Sequence, residues 1–157
     1  DSALAYYLQE IEQRREGAPP PVDLAAERRN GDFVRAQIRA GTLSAVHDLS
    51  DGGLLVTVAE MAMAGGVGAA LEPKATGKEL AAWCFGEDQA CYVVATSDPA
   101  SLLAAAEKAG VPAARIGITG GAELTVAGAG AISVGALRRA HEDWFPSYMD
   151  QAAAGNA

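Results

Sequence analysis

The sequence predicts a layered α/β domain with a mixed sheet. Short apolar runs alternate along the chain with segments whose apolar residues recur at helical spacing. In the stretch from Leu43 to Met63 a strand, a polar glycine-ended turn and a helix follow one another directly. A chain of 157 residues, half of them hydrophobic, can bury a core, so a single domain over 1–157 is expected.

Taken in order, Ser2–Arg15 reads as a lead-in helix with Leu4, Tyr7, Leu8 and Ile11 on one face. It starts almost at the first residue, as a piece of a longer polypeptide would. Gly17-Ala18-Pro19-Pro20-Pro21 breaks it and favours an extended connector, so 1–22 is lead-in and connector. Asp23 suits the N-cap of a second helix that runs through Ala26, Glu27, Phe33, Val34 and Ile38 and stops at Gly41. Gly31 inside it costs about 1 kcal/mol against Ala and marks a potential break. Leu43–Val46 is then a buried strand and His47–Gly53 a polar turn. Leu54, Leu55, Val58, Met61 and Ala62 give the next helix, ended by Gly65-Gly66.

Val67–Leu71 is expected as a strand, Lys78–Cys84 as a short helix and Ala90–Ala95 as a buried strand. Asp98 should cap a helix over Pro99–Ala109, with proline at its first position and Gly110 closing it. Ala113–Thr119 and Glu123–Ala127 read as two strands of a hairpin turned by Gly120-Gly121. Ile132–Val134 is a short strand or helix lead-in, and Leu137–Met149 a last helix broken at Pro146. Residues 150–157 are expected to be a disordered tail.

Composition excludes several function classes. No apolar run approaches the roughly 20 residues that span a bilayer, and no secretory signal pattern is visible. A formal charge of −8 argues against a broad nucleic-acid surface. Cys84 and Cys91 do not form a CxxC pair and fit buried thiols of a reduced, cytoplasmic protein. Neither a GxGxxG after the first strand nor a GxxxxGK[ST] loop is present.

The candidate site residues fall in two clusters. At the strand–turn–helix junction, His47, Asp48, Ser50, Asp51, Gly52 and Gly53 precede a helix N-terminus, which favours anions and phosphates. Asp48 and Asp51 stand three apart, close enough to share a divalent cation; alternatively, Asp51 or Ser50 caps the helix. Gly52-Gly53 either admits a phosphate to the backbone or relieves a close helix–strand approach. Glu87-Asp88-Gln89, before a strand, is the second cluster, which a solvated turn would also explain. His141 and Trp144 read as surface or interface packing, and neither histidine has a partner at zinc-ligand spacing.

His47-Asp48-Leu49-Ser50-Asp51-Gly52-Gly53-Leu54, then Ala59-Glu60-Met61-Ala62 and Phe85-Gly86-Glu87-Asp88-Gln89, resembles the C-terminal domain of the phosphoribosylformylglycinamidine synthase large-subunit (PurL) family. That family belongs to the AIR-synthase-type superfamily. Pro19-Pro20-Pro21-Val22-Asp23-Leu24 and Leu137-Arg138-Arg139-Ala140-His141-Glu142 resemble the same family, so the likeness runs from about Tyr7 to Tyr148. The resemblance implies a three-layer α/β/α fold with a mixed sheet. It implies a parent ligase that converts formylglycinamide ribonucleotide, ATP and ammonia to formylglycinamidine ribonucleotide, ADP and phosphate, with Mg2+ offsetting phosphate charge.

The implied partners are the preceding domains of the same polypeptide, a PurQ glutaminase that supplies ammonia, and a small PurS subunit. The family's catalytic histidine and main ATP contacts lie in those preceding domains, so the resemblance implies no catalytic residue in this chain. The parent carries two copies of this kind of domain, and Glu87-Asp88-Gln89 stands where the other copy has Glu-Ser-Gln. Asp88 opposes a ribonucleotide phosphate, which points to the auxiliary copy. Asp48 is the candidate metal ligand. The alternative reading is a non-catalytic nucleotide-binding or structural module of the same fold.

Overall fold

The structure, a computed structural model, describes residues 9–11, 13 and 22–154. The proline-rich connector and nearly all of the expected lead-in helix lie outside the described residues. Where one domain over 1–157 is expected, the chain divides into two compact units, Asp1–Met61 with Pro73–Ile116, and Ala62–Glu72 with Gly117–Ala157.

In the first unit, α1 spans Leu24–Arg39 and starts where expected: the Asp23 carboxylate accepts from the Ala25 and Ala26 amides at 2.9 and 3.0 Å. Gly31 does not break the helix. A Cβ there would meet the Tyr92 hydroxyl at 3.4 Å, at the limit of an ordinary van der Waals contact. β1 covers Ala45–Asp48 and pairs antiparallel with β3, Tyr92–Ala95. The expected strand Leu43–Val46 is thus shifted by two residues. His47 and Asp48 belong to the ladder, opposite Val93 and Tyr92, and the turn begins only at Leu49. The Leu49 amide, bonded to the Cys91 carbonyl at 2.9 Å, extends the pairing by one step.

α2 spans Gly53–Gly65, and α3 spans Gly77–Phe85 with Cys84 buried. Leu54, Val58 and Ala62 of α2 are buried at the helical spacing read from the sequence, and so is Thr57, a polar residue outside that set. α4, Pro99–Lys108, is capped by Asp98, whose carboxylate accepts from the Ser101 amide at 3.0 Å. Hydrogen bonding from Ser101 holds the exposed Asp98 carboxyl below its ordinary value.

In the second unit, a four-stranded mixed sheet runs in the order β4-β2-β5-β6. β2 is Ala69–Leu71, β4 Gly117–Thr119, β5 Glu123–Val126 and β6 Gly130–Ser133. β2 pairs antiparallel with β4 and parallel with β5. Ala69 lies beside Leu124 and Leu71 beside Val126, and these four side chains are buried. Burial of a leucine contributes about 1.5–3 kcal/mol.

Two expectations are corrected here. The mixed α/β class is observed, but the strands do not share one sheet, since β1 and β3 form their own ladder. Gly120-Gly121 does not turn a hairpin either, because β2 is inserted between β4 and β5. The link instead wraps the start of β2: the Gly68 amide donates to the Gly121 carbonyl at 2.9 Å, and the Gly120 amide to the Gly68 carbonyl at 2.8 Å. Local turn chemistry cannot reveal a strand arriving from 50 residues earlier. The hairpin of this sheet joins β5 to β6 through Ala127-Gly128-Ala129.

Ser133 caps α5, Val134–Glu142, by accepting from the Ala136 amide at 3.1 Å. The expected break at Pro146 falls instead at Asp143. α6 runs Trp144–Ala154, with Pro146 in its first turn, where a missing N–H costs nothing. The helix enters the stretch expected to be a disordered tail; residues 155–157 lie outside the described residues.

The inserted strand makes Gly68 a sensitive position. A Cβ there would lie 2.6 Å from the Glu123 amide nitrogen, a backbone atom that cannot turn aside. Gly68→Ala is expected to cost roughly 2–3 kcal/mol in urea unfolding. A loss below about 0.5 kcal/mol would contradict the close β2–β5 approach.

Candidate functional site

The β1–turn–α2 junction is built by a short set of hydrogen bonds. The Asp48 carbonyl accepts from Thr57 Oγ1 at 3.3 Å and faces His47 Nδ1 at 2.7 Å. A carbonyl oxygen only accepts, so Nδ1 carries the proton in this contact. His47 Nε2 lies 3.3 Å from Glu60 Oε2, one turn along α2 from Thr57. Nδ1 also lies 3.5 Å from the Asp48 carboxylate. His47 therefore ties strand β1 to helix α2, while the Asp48 carboxylate lies beside its ring and is largely exposed.

The two carboxylate clusters meet at the N-terminus of α2. The Gly52 amide donates to Glu87 Oε1 at 2.9 Å. The Gly53 amide donates to the Ser50 carbonyl at 3.0 Å. Of the two alternatives raised for Asp51, capping is not what it does: the orphan amide is met by Glu87, brought from the loop after α3. Asp51 stands exposed in the turn. Gly53 has φ +67°, and a Cβ there would lie 2.7 Å from the Phe85 carbonyl carbon and 2.8 Å from the Gly86 oxygen. Gly53 thus serves the close approach of the α2 start to the α3 end, whereas a Cβ on Gly52, at φ +92°, would meet the Val56 side chain of α2 itself.

Asp48 and Gln89 come together elsewhere, on the wall of a cavity of about 540 Å³ under α1. Arg28, Asp32 and Arg35 of α1 line it as well. Arg35 bonds Asp32 at 2.7 Å, and Arg28 lies 3.8 Å from the same carboxylate. Sequence reasoning missed this helix face. Its signal was present as Glu27, Arg28, Gly31, Asp32 and Arg35 at helical spacing. The triplet Glu87-Asp88-Gln89 is divided: Glu87 serves the fold, and Gln89 faces the cavity. Asp88 is exposed, and its charge acts on Cys91.

Both cysteines are free thiols. Burial pushes the Cys84 thiol up, and burial followed by the Asp88 charge pushes up Cys91. A raised thiol stays protonated near neutral pH, so neither is an activated nucleophile.

Among the described residues, no group of three or more His, Cys, Asp and Glu could hold a metal ion. A magnesium site completed by phosphate oxygens and water would need only one or two carboxylates from the protein. No helix of the described residues is long and apolar enough to cross a membrane.

Residues 1–128 match the family described as AIR synthase related protein, C-terminal domain. The chain is 57% identical over 147 residues to the phosphoribosylformylglycinamidine synthase subunit PurL of Parvibaculum lavamentivorans, covering 91% of this chain and 20% of that one. It is 59% identical over 148 residues to the PurL subunit of Methylocella silvestris, covering 93% and 20%. The chain thus spans about a fifth of the length of the curated relatives it matches. Thermotoga maritima PurL complexed with FGAR shares the fold with a TM-score of 0.64 at 18% identity, over 82% of this chain and 23% of that one. PurL of the same organism complexed with ATP gives 0.58 at 18%, over 70% and 21%. PurLQS from Thermotoga maritima gives 0.62 at 19%, over 81% and 23%. With the family model covering most of its length, the chain belongs to the AIR synthase related protein, C-terminal domain family.

Proposed function

We propose that this chain serves as the C-terminal domain of a phosphoribosylformylglycinamidine synthase large subunit in de novo purine biosynthesis. The observation that carries this is identity of 57–59% to PurL subunits over more than nine-tenths of the chain. The proposed parent is a cytoplasmic ATP-dependent carbon–nitrogen ligase. It joins glutamine-derived ammonia to formylglycinamide ribonucleotide and yields formylglycinamidine ribonucleotide, ADP and phosphate. Relatives complexed with FGAR and with ATP support the substrate classes, and the PurLQS assembly supports PurQ and PurS as partners.

Within that enzyme, the proposed ligand-facing groups of this chain are Asp48 and Gln89 on the cavity wall, with Ser50 and Asp51 in the adjoining turn. His47, Gly52, Gly53 and Glu87 are proposed to hold that turn in place, and Asp88 to bias its charge. Asp48 would hold Mg2+ together with nucleotide phosphates. When bound, the ion offsets phosphate charge that the carboxylates alone repel. None of these groups is an activated nucleophile or a base paired with one, so the chain is proposed to position ligand rather than perform the chemistry.

A second reading, a non-catalytic nucleotide-binding or structural module, is favoured by one observation. The exposed carboxylate of Asp88 stands beside Gln89, where it opposes a phosphate.

The purified chain, given ATP, ammonia and formylglycinamide ribonucleotide, is expected to show no turnover. Product formation above background would contradict the division of labour. In the intact subunit, Asp48→Asn keeps shape and removes charge. It is expected to lower magnesium-dependent ADP retention in equilibrium dialysis roughly tenfold, the equivalent of about 1.4 kcal/mol. The melting temperature of the present chain should stay within about 2 °C. Equal retention in variant and wild type would leave the turn a structural feature.

A further inference from the structure

Helix α6 presents an exposed aromatic face. Trp144, Phe145, Tyr148 and Met149 recur at i, i+1, i+4 and i+5, which gathers them on one side of the helix, while Ser147 and Asp150 take the other. All four are more than half exposed. The rings are already set against one another: Trp144 stacks on Tyr148 at a centroid distance of 5.4 Å with 10° between the planes, and meets Phe145 at 6.4 Å. A cluster arranged beforehand loses little side-chain freedom on contact. The base of this arm is fixed as well. Ser133 caps α5, Val134 is buried, and the Arg138 guanidinium donates to the Met63 carbonyl in the last turn of α2. The Ser147 amide donates to the Asp143 carbonyl at 3.1 Å, which joins the first turn of α6 to the end of α5.

The size of the face and its place in the chain bear on what covers it. A whole aromatic side chain presents about 150–250 Å², so the exposed patch amounts to roughly 350–550 Å². That is the scale of the largest apolar patches on monomers, about 300–600 Å². It falls short of the roughly 800 Å² a side that a free-standing pair of proteins buries. Two copies meeting through this face alone would be held weakly. A tethered surface needs less, because linkage raises the effective concentration to the millimolar range. Interfaces between domains of one chain begin at about 600 Å² in total. The family match ends at residue 128, ahead of β6, α5 and α6. The match to the Methylocella silvestris PurL subunit covers 93% of the chain and leaves out about 11 of its 157 residues, so wherever it starts it extends through Trp144 and Phe145. The aromatic arm thus lies in what the chain shares with a PurL subunit beyond the matched family region, and four-fifths of that subunit lies outside the match.

We infer that the aromatic face of α6 is a docking surface that takes an apolar patch from the remainder of the parent polypeptide. Trp144 and Tyr148 form its centre, the residue types that dominate such contacts. Phe145 and Met149 flank them, and the unbranched thioether adapts to an irregular partner. Arg139, Asp143 and Ser147 line a groove of about 370 Å³ beside Trp144 and Tyr148 and supply a polar rim. The inference rests on the function proposed above only for the existence of a longer parent, not for its chemistry.

Hydroxyl-radical footprinting read by mass spectrometry tests this, because oxidation of methionine and aromatic side chains follows their exposure. Trp144 and Met149 should oxidise roughly tenfold more slowly in the intact subunit than in the present chain, as docking populated ten to one would give. The intact subunit is used without glutaminase or small subunits, and the present chain should sediment as a monomer. Equal oxidation in both overturns the inference. So does protection that appears only when the partner subunits are added, or a dimer of the present chain that Trp144→Ser with Tyr148→Ser abolishes. In the intact subunit that double variant should bring Met149 oxidation to within about twofold of the present chain's rate. The melting temperature of the present chain should stay within about 2 °C in the same variant, since both side chains are exposed. Met149 that remains protected in the variant overturns the assignment to this face, and should the variant subunit fail to fold, the unsubstituted comparison decides. Synthase turnover separates the two claims. Turnover with equal oxidation refutes the docking and keeps the proposed activity, and protection without turnover does the reverse.

Discussion

The Gly52–Glu87 hydrogen bond, with the glycine-permitted contact beneath it, holds the junction on which the site depends. The start of a helix leaves amides without partners. Here one of them is satisfied by a carboxylate from another helix's end, at 2.9 Å. The same contact brings the Gly53 backbone against Phe85 and Gly86, where a side chain would not fit. Helix α2 cannot shift without losing both. Because α2 carries Thr57 and Glu60, which reach back to the Asp48 carbonyl and to His47, its position fixes β1 as well.

This arrangement separates two jobs that look alike in the sequence. The two carboxylate clusters each contain one group turned to the fold and one turned to the cavity. Glu87 is consumed by the junction, whereas Asp48 and Gln89 share a wall with the α1 residues Arg28, Asp32 and Arg35. Arg28 and Arg35 both lie within ion-pair reach of Asp32 and are largely exposed, so those pairs contribute little stability and leave the guanidinium groups able to change partners. The cavity wall thus carries both signs of charge.

Much of this was legible in the residues. Asp23 and Asp98 cap their helices as their type and position predict, and the α2 core positions follow the helical period. What escaped was non-local. The hairpin signal at Gly120-Gly121 was sound chemistry for a turn, but nothing nearby announces that β2 will slide between the two strands. Pro146 breaks a helix only if one runs through Leu137–Met149; in the first turn of α6 it breaks nothing. The role of Glu87 and the hydrogen bond from Asn30 to the Ala90 carbonyl depend on partners 35 and 60 residues distant. Local patterns carry no trace of such pairings. The family resemblance found the motif that forms the site without showing which of its residues serve the fold.

Native-state hydrogen exchange at the Gly52 amide tests the central claim most directly. If Glu87 caps this helix start, the amide is protected by that carboxylate. Glu87→Ala should then speed its exchange roughly 5–30-fold, matching about 1–2 kcal/mol for a lost cap, beyond any change at strand amides of β1. Exchange at Gly52 that is unchanged in Glu87→Ala, or that rises no more than at β1, would contradict the account.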